Sequence, residues 1–127
     1  MLRLQICLAM ALVVMGGSAQ KADEVIDQGK ESVDSWGKTL EMTCGQWAEG
    51  RVPTLYVKQM MKAGKEELGK QLEELEKLGA NQEAQKVIRK IHRLRFWIEQ
   101  NEGRLPGAEG KKREEILAAL KSAREGL

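Results

Sequence analysis

The chain is poor in the side chains that usually carry chemistry. Its 127 residues include one His, two Cys, two Pro, one Tyr, one Phe and three Trp. A protein-held zinc ion draws on several Cys or His ligands, which this sequence does not supply. Cys-x-x-Cys-His haem attachment, a Gly-x-Ser-x-Gly elbow, a phosphate-cradling glycine loop and a His-Glu-x-x-His pair are all missing. Charge of one sign is lacking too. The 21 Lys and Arg nearly balance 19 Asp and Glu, leaving +2, so attraction to nucleic acid alone is not a basis for function. Strand-type alternation is absent, and only one long apolar run exists.

That run lies at the N-terminus. Arg3 is the single charge before Ile6 to Met15, which has no charged or hydrogen-bonding side chain, and Gly16-Gly17-Ser18-Ala19 follows. A basic start, an apolar centre and small residues at positions 17 and 19 form a secretory signal, with cleavage expected after Ala19. A retained membrane anchor is the weaker alternative: ten helical residues reach about 15 Å, half of a hydrocarbon core. Cys7 lies within the run, not after it, which argues against lipid attachment. The product, residues 20–127, is expected to be exported: periplasmic in a bacterium with two membranes, secreted otherwise.

The rest reads as one all-α domain: three main helices, the second and third forming a central antiparallel hairpin, and a short C-terminal helix. The expected spans are about 22–48, 54–78, 82–102 and 111–125. In the first, Ala22, Val25, Ile26, Gly29, Val33, Trp36, Leu40, Cys44 and Trp47 share one stripe at about 100° per residue. Thr54 is a candidate N-cap for the second helix, which uses Val57, Met61, Gly64, Leu68, Leu72, Leu75 and Leu78. Gly79 suits a left-handed helix end, and Asn81 a cap for the third helix. That helix offers Ala84, Val87, Ile91, Leu94 and Ile98, and the fourth Ile116, Leu117, Leu120, Ala123 and Leu127. The few residues between the second and third helices force them antiparallel. Residues 20–50 carry three bases against seven acids, whereas 80–98 carry five bases against one acid. The acidic first helix is therefore expected beside the basic third.

Export removes Cys7 and leaves Cys44 as the only thiol. An odd cysteine in an exported chain raises an intermolecular disulfide, but its place on the apolar stripe favours a core residue. A nucleophilic pair of Cys44 and His92 would have to meet across the first and third helices, where they could lie close. His92, however, falls about 115° from the centre of its helix's apolar stripe and is expected on the flank or surface. The acids of the second helix, Glu66-Glu67 and Glu73-Glu74, interleave with Lys62, Lys65, Lys70 and Lys77 as on a solvated face. No enzyme and no cofactor is expected.

The third helix has the most suggestive surface. Lys86, Lys90, Arg93 and Trp97 follow at spacings of four, three and four, a basic ridge ending in an indole. Such a ridge could receive an anionic lipid or a small amphiphile, or it could face the acidic first helix while Trp97 completes the core. Phe96 belongs to a second line with Ile88 and His92, so the helix needs two partners, either the fourth helix or another protein. Met42, Met60 and Met61 add soft apolar surface. The leading expectation is an exported, non-enzymatic protein acting through protein contact: partner binding, chaperone-like capture or self-assembly. The alternative is an envelope binder of anionic lipid or a small amphiphile on the Lys86–Trp97 ridge.

Overall fold

The computed structural model describes residues 18–125, all-helical apart from turns and short loops. α1 spans Ser18–Ala48, α2 Thr54–Glu76, α3 Gln82–Glu102 and α4 Lys111–Glu125. The expected cleavage point after Ala19 falls in the first turn of α1, and the apolar run before it lies outside the described residues, as does Leu127. Among the described residues, no helix is long and apolar enough to cross a membrane.

The buried positions repeat by threes and fours, which turns one stripe of each helix inward. In α1 these are Ile26, Gly29, Val33, Gly37, Leu40, Thr43, Cys44 and Trp47; in α2 they are Val57, Met61, Gly64, Leu68, Leu72 and Leu75. α3 contributes Ala84, Val87, Ile88, Ile91, Leu94, Trp97, Ile98 and Asn101, and α4 only Ile116 and Leu120. Each helix packs on two or three others, except that α2 and α4 are not neighbours. α1 and α3 therefore form the short diagonal of the bundle.

Glycine brings the axes close at two places. A Cβ on Gly29 would stand 2.9 Å from Leu75 Cδ1 and 3.1 Å from Val87 Cγ1, where α1, α2 and α3 meet. Gly64 lies under the Trp36 ring, 3.0 Å from Cε3 by the same measure.

The helix ends follow local chemistry. α1 closes through Gly50, at φ 76°, with Gly50 N donating to Trp47 O and Arg51 N to Gln46 O. This paired arrangement satisfies carbonyls the helix leaves open. Gly79 takes φ 65° after α2, and Asn81 Oδ1 accepts from Ala84 N at 3.0 Å to cap α3. Thr54 is not the cap expected for α2. Pro53 occupies that position without a side-chain bond, and the Thr54 hydroxyl instead accepts the Trp47 indole N–H at 3.0 Å. The buried indole needs a partner more than an exposed first turn does.

Arg113 ties α4 and its preceding loop to the end of α1. Its Nη1 donates to Trp47 O at 2.8 Å and its Nε to Ala108 O at 2.9 Å. The guanidinium carbon also lies 4.7 Å from the centroid of the Trp47 ring.

The expected charge pairing between α1 and α3 takes another form. One ion pair between them is Lys30 with Glu83, at 3.8 Å, in which the base comes from the acidic helix and the acid from the basic one. Glu41 of α1 pairs with Arg124 of α4. The exposed Lys30–Glu83 pair contributes a few tenths of a kcal/mol, and apolar burial decides the packing.

Candidate contact surface on the third helix

The inward stripe of α3 leaves its opposite side to solvent. Phe96 lies about half a turn from the stripe centre at about 100° per residue and is 62% exposed. Arg93 precedes it by three positions, His92 by four and Arg89 by seven, so all three share its side. Lys86 lies one turn before Arg89. These four side chains are exposed. The outer side of α3 is therefore an aromatic ring set in a predominantly basic surface.

Glu99, three positions after Phe96, is an exposed acid on the same side, and Glu83 lies one turn before Lys86 and is already occupied. Lys86 Nζ lies 3.2 Å from Glu83 Oε1. The hydrogen bond from Lys86 and the charge of the same group hold the Glu83 carboxyl below the usual carboxylate range, with a smaller contribution from Lys30.

The ridge read from spacing does not stay on this surface. Lys86 and Arg93 remain outside, while Lys90 is half-buried in a cleft with Lys30, Val33, Asp34 and Arg124. Trp97 turns fully inward. It is 4% exposed, and its indole N–H donates to Ile116 O of α4 at 3.3 Å. A row at spacings of four, three and four crosses the helix surface obliquely, and α1 and α4 cover its inner end. Trp97 is thus not available to seat a head group at the surface. α4 covers Trp97 but not Phe96, and Ile88, from the same line as Phe96, joins the core.

Arg89 did not stand out from the sequence. The spacing of four from Lys86 leads to Lys90, and the signal for Arg89 is its separation of seven from Phe96, two turns along the same side.

Cys44 is fully buried among core side chains and is unpaired. Burial pushes its thiol pKa up to about 12. An intermolecular disulfide would require α1 to leave the core. His92 is exposed on the outer side of α3, so the fold does not join it to Cys44 as a nucleophile and base. Among the described residues, no group of three or more His, Cys, Asp or Glu is placed to hold a metal ion.

Comparison with protein-family models, with curated proteins and with solved structures finds no match to this chain. The described residues form an all-α bundle of four helices with a basic, aromatic-centred outer face on α3.

Proposed function

We propose that the chain is exported and acts without catalysis, by contact with another protein through the outer face of α3. The observation that carries this reading is Phe96, 62% exposed on the same side as Lys86, Arg89 and Arg93. A large exposed ring supplies apolar area at little entropic cost, and contact energies concentrate in such anchors. The surrounding bases select an acidic partner surface and speed the encounter. The complementary site is an apolar recess rimmed by Asp or Glu. The reading on anionic lipid has less support, because Trp97 is buried against α4 and not placed beside a head group.

Photo-crosslinking in the native host tests the proposal. A photoreactive residue at position 96 is expected to give a protein adduct on a chain that begins at Gln20. The same residue at Lys70, exposed on α2, should give none. Arg89→Glu should cut the adduct from position 96 by about tenfold, the loss of one well-placed charge contact. Equal adducts from both positions, or an adduct to lipid alone, would overturn the contact reading. A chain still carrying Met1 to Ala19 would overturn export.

A further inference from the structure

The loop between α3 and α4 does not close over the space beneath it. A cavity of about 450 Å3 lies between the last turn of α3, this loop and the first turns of α4. Its apolar walls are Pro106, Ala108, Ile116 and Ala119, and its polar groups are Asn101, Arg104, Lys112 and Glu115. The space stays open because the residues that could fill it are small: Gly107, Ala108 and Ala119.

The frame around it is firmly held. Leu105 and Ala108 anchor the loop in the core, Arg104 N donates to Asn101 O, and Ala108 N donates to Leu105 O. Arg113 fixes Ala108 O from the far side. Asn101 is buried at the cavity wall, and its amide nitrogen is used by Trp97 O at 2.8 Å. Arg104 and Lys112 are exposed and have no ion-pair partner among the described residues.

We infer that this cavity is a binding site for a small amphipathic carboxylate. Arg104 and Lys112 receive the carboxylate at the mouth, as unpaired cations beside an apolar wall. The short apolar body lies against Ile116, Ala108, Ala119 and Pro106. Small-molecule sites commonly combine an apolar lining with a few polar groups in this way, in volumes of about 300–1,000 Å3. Glu115 at the same mouth disfavours dianions, so a single negative charge is the matching head. This site lies apart from Phe96 and does not depend on the role proposed for α3.

Octanoate is the probe, titrated into the purified, 15N-labelled protein and followed by NMR. Saturable shifts are expected at the Asn101 side-chain amide and the Ala108, Ile116 and Ala119 backbone amides, with a Kd at or below about 1 mM for a ligand of this size. Acetate, which has the head alone, and octylamine, which has the tail with the opposite charge, should each bind at least tenfold more weakly. Arg104→Glu with Lys112→Glu should weaken octanoate at least tenfold while leaving the remaining spectrum in place. Ala119→Leu, at an exposed position, should fill the recess and abolish the shifts. Equal binding of octylamine, unchanged affinity in the charge variant, or no saturable shift at these amides would each overturn the site.

Discussion

Cys44 shows what a single buried group does to the behaviour of the chain. Its thiol is pushed up to about 12 by removal from water, whereas in the unfolded chain it titrates near its ordinary value of about 8.5. Between these values the folded state keeps a proton that the unfolded state has lost. Stability from this group is therefore intact below about pH 8.5 and falls as the pH rises towards 12, by about 1.4 kcal/mol per pH unit. Lys and Tyr titrate in the same range, so a variant must isolate the effect. Cys44→Ala is expected to be less stable at neutral pH, yet to lose stability more slowly above pH 9 in urea denaturation. A thiol reagent should leave Cys44 unmodified in the native protein and modify it fully in denaturant. Fast labelling of the native protein would show that the core opens at α1.

At the scale of the helices, α1 carries two glycines whose surroundings demand opposite outcomes. The Cβ of alanine at Gly29 would press on Leu75 and Val87, both buried with no room to retreat. Overpacking of this kind typically costs about 1–3 kcal/mol, more than the gain in helix propensity of up to about 1 kcal/mol. At Gly45 nothing lies within 4 Å of a new Cβ, so only the propensity gain remains. Gly29→Ala is thus expected to destabilise the protein by roughly 1–2 kcal/mol and Gly45→Ala to stabilise it by up to about 1 kcal/mol. Chemical denaturation of the two variants reads both signs, and a shared sign would show that α1 does not pack as described.

The same glycines mark how far these elements are legible in the sequence. Periodicity gives the inward stripe of α1, from Ile26 to Trp47, because helix geometry alone decides which residues share a face. It puts Gly29 on that stripe and Gly45 off it, but it cannot give the depth of the neighbour, so the lack of room beside Gly29 is not legible. Asn81 and Gly79 were readable because cap chemistry is local. Thr54 was misleading because a distant indole, that of Trp47, competes for its hydroxyl. Trp97 and Phe96 are adjacent in sequence, and which of them faces solvent depends on where α4 docks. The Lys30–Glu83 pair runs against the net charges of its helices, because side chains meet individually. The cavity at Asn101 depends on a loop path that no periodicity describes.

For the molecule as a whole, the uneven distribution of buried groups implies an order of opening. α4 brings Ile116 and Leu120 to the core, whereas α2 brings six positions and α3 eight. At 15 residues, α4 is also near the length below which an isolated helix is marginal in water, about 12–15 residues. It should therefore undock before α1, α2 and α3 separate, giving a local opening below the global unfolding energy. Two core substitutions distinguish this from all-or-none unfolding. Leu68 on α2 has no neighbour on α4, since those helices do not adjoin. Leu68→Ala should thus lower the exchange protection of α2 and α3 by about 2–5 kcal/mol while leaving the opening of α4 unchanged. Leu120→Ala weakens the docked state relative to every undocked one, so it should lower protection in all four helices. Native-state hydrogen exchange reads both patterns directly. If Leu68→Ala lowers protection in α4 as much as in α2, the bundle unfolds as one unit, and the shallow burial of α4 does not make it a separately opening part.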